Sequence, residues 1–138
     1  MSFRFGIRSK TNLAGIHPDL VKVAYLALEL SPVDFTVTEG LRTPSRQKEL
    51  FAQHKSQTLR SRHLTGHAID VAALHDGKVT WNWQEYELIA KAFKEAAKQL
   101  GIAITWGGDW KNFKDGLHFE LSYASYPAPR DATAGEQA

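Results

Sequence analysis

Two short runs, far apart in the chain, constrain this sequence more than anything else in it. Ala68-Ile69-Asp70-Val71-Ala72 and Leu117-His118-Phe119-Glu120-Leu121 both interleave apolar residues with residues that carry chemistry. Alternation with a period of two reads as a strand with one buried face, because successive side chains point to opposite sides. Ile69 and Val71 therefore face one way and Asp70 the other. Leu117, Phe119 and Leu121 likewise oppose His118 and Glu120. As neighbouring strands, the two runs would bury their apolar faces together and show Asp70 and His118 on one side.

A second histidine precedes the first run, in Ser61-Arg62-His63-Leu64-Thr65-Gly66-His67-Ala68-Ile69-Asp70. Thr65-Gly66 permits a tight loop, since glycine reaches backbone angles closed to other residues. His63 would then sit on the loop leading into the strand that carries Asp70. His63, Asp70 and His118 are two imidazoles and one carboxylate, a donor set suited to Zn²⁺ that leaves a fourth tetrahedral position for water. With six histidines in the chain, chance pairs are easy to find. His17 reads as a helix cap, and His54 and His75 as solvated loop positions. His67, inside the motif, is the competing candidate, as a group beside the ligands or as loop surface.

Composition narrows the class. The 138 residues suit one domain, and a hydrophobic fraction of 43% is enough to bury a core. Cysteine is absent, so disulfides and thiolate metal cages are excluded and any metal falls to imidazole and carboxylate. Met1 to Lys10 has no apolar run after its basic residues, so it does not read as a signal peptide. No stretch is long and apolar enough to span a bilayer. Net charge is only +2. A basic cluster of Arg42, Arg46, Lys48, Lys55, Arg60 and Arg62 lies beside the candidate site. It lacks the base-stacking aromatics or module expected of a nucleic-acid binder, so no nucleic acid is expected. It reads either as a solvated face or as a surface attracted to an anionic polymer such as a cell wall.

Along the chain, helices alternate with short strands. Pro18 opens an apolar-rich helix that Ser31-Pro32 stops. Phe35 to Thr38 alternates as a strand. Thr43-Pro44 offers a cap and first-turn proline for a helix to about His54, and a polar loop runs from Lys55 to Arg62. Asp76-Gly77 is a hairpin turn into Val79-Thr80-Trp81. Asn82, with Glu85 three residues on, starts the longest helix, with Tyr86, Ile89, Phe93, Ala96, Ala97 and Leu100 on one face and Gly101 as its stop. Ile102 to Trp106 is a strand, Gly107-Gly108 a turn. The expected fold is α+β: an antiparallel sheet of about four strands carries the site on one face, and helices pack on the other. One domain is expected over 1–122, with a C-terminal extension over 123–138 whose last residues, from Asp131, read as disordered.

The pattern S-x-H-x-x-G-x-A-x-D, with W-G-G-D-W and D-x-x-H-x-E downstream, resembles the zinc peptidases of the D-alanyl-D-alanine carboxypeptidase and dipeptidase group. Within that group the opening S-F-x-F-G and the later A-L-E-L-S-P-x-D-F-T are most similar to phage endolysins of the L-alanyl-D-glutamate endopeptidase type. The resemblance runs from Met1 to about Ser122. It implies one zinc ion per chain on His63, Asp70 and His118, with Asp115 as general base. It implies that Arg42, in L-R-T-P-S-R-Q, stabilises the oxyanion. Glu120, Ser61, Asp109 and Trp106 match motif positions as supporting or cleft residues, and Trp106 and Trp110 could wall a substrate cleft. Asp109, Asp115 and Glu120 also bring carboxylates near the site for a regulatory ion such as Ca²⁺, although no calcium loop is present.

The implied substrate is bacterial peptidoglycan, in a Gram-negative host if the domain stands alone. The implied protein is a monomer made in the host cytoplasm and acting on the wall in the periplasm once a holin-type partner has opened the membrane. Two alternatives remain: a D-alanyl-D-alanine carboxypeptidase or dipeptidase with the same chemistry, and an inactive wall-binding module in which a fourth ligand, His67 being the nearby candidate, closes a structural zinc site.

Overall fold

In a computed structural model of the chain, residues 3–55, 61–112 and 114–127 are described. The expected tail from Asp131 and the basic residue Arg60 lie outside them. Helix α1 spans Ile7–Leu13, α2 Pro18–Leu30, strand β1 Asp34–Glu39 and α3 Pro44–Ala52. A 3₁₀ turn at Arg62–Thr65 leads into β2, Ala68–His75, which turns back as β3, Lys78–Thr80. Then follow α4, Trp83–Leu100, β4, Ile104–Trp106, a second 3₁₀ turn at Gly107–Asp109, and β5, His118–Leu121.

Local chemistry sets these boundaries. His17 caps α2 by accepting the Asp19 N–H on Nδ1 at 3.0 Å, ahead of Pro18. Thr43 caps α3 and Asn82 caps α4 in the same way, through side-chain oxygens. Gly101 ends α4 in the left-handed conformation, at φ 70°. Asp76 and Gly77 both take positive φ, as a tight hairpin between β2 and β3 requires. His75 is the exposed last residue of β2 and His54 sits in a turn after α3.

The sheet is antiparallel throughout, in the order β1-β2-β5-β4, with β3 paired to the far end of β2. Ile69, Val71, Phe119 and Leu121 are fully buried on one face, as the alternation requires. They meet α4 through Phe93, which stacks on Phe119 at a centroid distance of 3.9 Å and lies 5.4 Å from Phe35. Helix α2 adds Leu20, Val23, Ala24 and Ala27 to the same core. Leu100, expected on the buried face of α4, is 40% exposed, since it falls in the last turn of the helix. The opposite face of the sheet carries Asp70, His118 and Glu120.

Helix α1 is the element that apolar periodicity does not reveal. Its sequence, Ile-Arg-Ser-Lys-Thr-Asn-Leu, is mostly polar, and Ile7 points into solvent. What it contributes is hydrogen bonding to an edge strand. Ser9 Oγ accepts the Val37 N–H at 2.9 Å and bonds Thr36 Oγ1 at 2.8 Å, while Asn12 Nδ2 donates to the Val37 carbonyl at 2.8 Å. Side chains thus occupy the outward backbone groups of β1, which would otherwise be open to another strand. Ser9→Ala would leave the buried Val37 N–H unsatisfied. It should destabilise the fold by about 1–3 kcal/mol, read as a lower urea midpoint with an unchanged denaturant slope.

Candidate metal centre

The centre is assembled by strand register. Asp70 on β2 stands directly opposite His118 on β5 and, on its other side, opposite Glu39 on β1. A register shift between Val37 and Glu39 makes this possible. Without it, Glu39 would follow Phe35 and Val37 into the core; the extra residue turns it to the polar face. His63 arrives from the 3₁₀ turn, which ends at Gly66 in the left-handed conformation (φ 77°), where a β-carbon would also lie 2.7 Å from the Gly15 carbonyl oxygen.

Asp70 Oδ1 lies 3.2 Å from His63 Nε2 and 3.3 Å from His118 Nδ1, and the three donor atoms lie within 4.8 Å of one another. The far nitrogen of each ring is committed elsewhere. His63 Nδ1 donates to the Gly40 carbonyl at 2.9 Å, and His118 Nε2 donates to Glu120 Oε1 at 2.8 Å. Neutral rings held this way turn their lone pairs toward the carboxylate, so the centre needs a positive charge. Zinc bonds of about 2.0–2.1 Å in tetrahedral geometry put ligand atoms about 3.3 Å apart, which these separations match. The donor set therefore fits a zinc-type ion. His67 is not part of it: its Nδ1 bonds Thr65 Oγ1 at 2.7 Å, and its ring lies 5.6 Å from that of His17.

The protonation states follow from this packing. Burial pushes the Asp70 carboxyl up, but hydrogen bonds from His118 and His63 outweigh it and hold the group well below the usual carboxylate range. Burial lowers His118, yet the bonds to Asp70 and Glu120 prevail and raise it to about 9. Burial raises Asp115, as does the charge of Asp70, partly offset by His118, the Leu117 N–H and His63. Asp115 is thus a half-buried carboxyl electrostatically coupled to the centre. It is held by a tight backbone crossing: Asp115 N donates to the Gly107 carbonyl, and a β-carbon on Gly107 would crowd the β-carbons of His118 and Asp115 at 3.1 and 3.2 Å.

Arg42 joins the centre from the β1–α3 loop. Its Nε and Nη2 clasp the Glu39 carboxylate, Nη1 donates to Gln47 Oε1 at 2.7 Å, and Nη2 lies 3.8 Å from Asp70 Oδ2. Ser61 Oγ accepts the His63 N–H at 3.1 Å and lies 3.5 Å from Arg42 Nη1, tying the two together. The Arg42 N–H donates to the His63 carbonyl, so the Gly40–Arg42 loop grips His63 by ring and backbone.

The other motif residues divide between the centre and its surroundings. Trp106 does not wall a cleft: it is buried, stacks near Trp83 at 5.5 Å, and donates Nε1–H to the Gly116 carbonyl at 2.9 Å, bracing the Asp115-Gly116 turn from behind. Trp110, half-buried, is the tryptophan against the centre, its ring 5.1 Å from that of His118. Asp109 pairs with Lys94 at 2.8 Å on the surface, while Glu120 is engaged by His118 and faces Arg62 at 3.9 Å. The basic cluster is split: the Arg42 and Arg62 side chains are 8% and 11% exposed and ion-paired, while Arg46, Lys48 and Lys55 are exposed. Glu39 is the functional neighbour that sequence reasoning missed, because only the bulge brings it round.

The Phage L-alanyl-D-glutamate peptidase family model matches residues 1–129. The chain belongs to that family. It is 42% identical over 130 residues to the L-alanyl-D-glutamate peptidase of Escherichia phage T5, covering 91% of this chain and 94% of that protein. It is 35% identical over 103 residues to the peptidoglycan L-alanyl-D-glutamate endopeptidase CwlK of Bacillus subtilis (strain 168), covering 64% of this chain and 61% of that one. The crystal structure of the Serratia marcescens L-Ala D-Glu endopeptidase ChiX superposes with a TM-score of 0.87 at 54% identity, covering 92% of this chain and 96% of that chain. The match to residue 129 takes the family past β5, where Tyr126 packs back on His17 and Asp19 at the start of α2.

The raised His118 sets a pH dependence. Below about pH 9 the metal-free centre holds a proton on His118, facing ionised Asp70. A divalent ion must displace that proton, so zinc affinity should rise about tenfold per pH unit toward pH 9 and then level off. The sign for folding is opposite: a pKa raised from 6.5 stabilises the metal-free protein below pH 6.5, and that stabilisation is lost as pH passes about 9. Calorimetric zinc titrations in buffers of different ionisation enthalpy, with melting curves of chelator-treated protein across the same range, measure both.

Proposed function

We propose that this protein hydrolyses the L-alanyl-D-glutamate bond in the stem peptide of bacterial peptidoglycan, using one zinc ion held by His63, Asp70 and His118. The observation that carries this reading is the convergence of two imidazole nitrogens and a carboxylate oxygen beside Asp115. Membership of the peptidase family supplies the bond and the substrate. Bound there, zinc would acidify a water molecule and polarise the scissile carbonyl.

The chain's own groups supply the rest. Asp115 takes the proton released as water attacks and passes it to the departing amine of D-glutamate; a raised carboxyl pKa suits both transfers. Arg42, a cation locked by Glu39 and Gln47, offsets in this reading the oxyanion that develops on the scissile carbonyl. Glu120 and the Gly40 carbonyl orient the two imidazoles. Trp110 lies beside His118, where it can contact the stem peptide.

In the same reading the catalytic domain occupies 1–122 and the extension 123–138 begins by packing back on it through Tyr126. The enzyme acts as a monomer. It is made in the host cytoplasm and reaches periplasmic peptidoglycan after a holin-type protein permeabilises the membrane. No helix among the described residues is long and apolar enough to cross a membrane by itself.

Digestion of purified peptidoglycan followed by mass spectrometry of the fragments tests the bond. A new amino terminus on D-glutamate is expected; loss of terminal D-alanine instead would replace the reading with a carboxypeptidase. Two variants separate the roles. His63→Ala should lose zinc and turnover together. Asp115→Asn should keep stoichiometric zinc while turnover falls roughly 10²–10⁴-fold, the usual worth of a general base.

A further inference from the structure

We propose that Arg62, with the turn at 122–126 that it holds, positions His118 through Glu120, so that the segment after β5 is a working part of the metal centre. The inference rests on the metal reading above. Its path is short. His118 Nε2 donates to Glu120 Oε1 at 2.8 Å, and the other Glu120 oxygen faces Arg62 Nε at 3.9 Å. Arg62 Nη2 donates to the carbonyls of Leu121 at 3.0 Å and Tyr126 at 2.6 Å, and the guanidinium lies 5.1 Å from the Tyr123 ring. Tyr126 is anchored in turn: its N–H donates to the Ser122 carbonyl, its hydroxyl to Asp19 Oδ2 at 2.7 Å, and its ring meets that of His17 at 5.4 Å.

The energetics argue that the charge on Arg62 is there for Glu120. Arg62 Nε and Nη1 are buried without a hydrogen-bond partner. Burying a cation this way is costly, and a neutral donor would serve the Leu121 and Tyr126 carbonyls at less expense. A guanidinium repays that cost where a carboxylate must be held in one orientation, and Glu120 must keep Oε1 on the His118 ring. Arg62 also directly precedes the ligand His63 in the 3₁₀ turn. One side chain thus links the turn bearing one ligand to the carboxylate that orients another, and both to the C-terminal segment.

Full-length protein carrying Arg62→Met, Tyr126→Ala, Glu120→Gln or the Arg62→Met/Glu120→Gln pair tests this. The readouts are zinc affinity against a competing chelator and the visible spectrum of the Co²⁺-substituted centre, with urea denaturation of the metal-free forms as the control for folding. Arg62→Met should weaken zinc about 10–100-fold, the usual effect of a group that orients a ligand, and alter the Co²⁺ spectrum. Tyr126→Ala should shift both in the same direction by less. The double variant should bind no more weakly than the weaker single, since both changes act along one route. Wild-type affinity and spectrum in Arg62→Met would overturn the proposal, and so would losses that multiply in the pair. If Arg62→Met does not fold, unchanged zinc affinity in Tyr126→Ala overturns it instead. Wild-type protein that takes up neither zinc nor Co²⁺ would fail the metal reading itself, whereas normal uptake by Arg62→Met fails only the positioning role.

Discussion

Two imidazole nitrogens turned toward one carboxylate oxygen repel it unless a positive charge lies among them. Hydrogen bonds on the far side of each ring leave His63 and His118 no way to turn aside: the Gly40 carbonyl takes one N–H and Glu120 the other. In the metal-free protein a proton meets the conflict, as the mutual hydrogen bonding that lowers Asp70 and raises His118 requires. A metal ion meets it better, because one divalent charge satisfies three donors at once. Much of the surrounding architecture serves to keep those donors in place before the ion arrives.

How much of this could be read from the chain depends on the range of the interaction. Asp70 and His118 were legible because each sits in a strand whose apolar neighbours declare its face, and burial of Ile69, Val71, Phe119 and Leu121 bears that out. The caps at His17, Thr43 and Asn82 were legible for a similar reason, since a cap is satisfied within a few residues of itself. Glu39 was not, because strict alternation sends it into the core and only a register shift against β2 brings it round. Helix α1 carries no apolar stripe, and its value lies in bonds to a strand some 25 residues away. The tryptophan of Trp-Gly-Gly-Asp-Trp that touches the centre is Trp110 rather than Trp106, a choice that motif spacing cannot make.

Charge illustrates the same limit. Seen in sequence, Arg42 and Arg62 belong to one basic cluster with Arg46, Lys48 and Lys55. In the fold, Arg42 is spent on Glu39 and Gln47, Arg62 faces Glu120 and holds two backbone carbonyls, and the other three remain in solvent. The buried pair cannot steer the protein toward an anionic surface, because each cation already faces a carboxylate and little of it meets water. Any long-range attraction falls to the exposed members, whose fields salt screens within about 10 Å.

The alternation that reveals the centre also makes it rigid. His118 follows the Asp115 turn that Trp106 braces, and precedes Phe119, which is locked against Phe93. Asp70 lies between Ile69 and Val71, both fully buried. Any shift of the Asp70 or His118 backbone would therefore unpack the core on the opposite face of the same strand, and close-packed interiors resist such movement. The cost of bringing two histidines and an aspartate together is met by hydrophobic burial during folding, and little ordering remains for the metal to impose. Zinc fingers divide that cost the other way, with the ion folding the chain. In this domain the fold itself brings the three donors together, and in the reading proposed above the binding energy of the ion is then free to act on a water molecule and a peptide carbonyl.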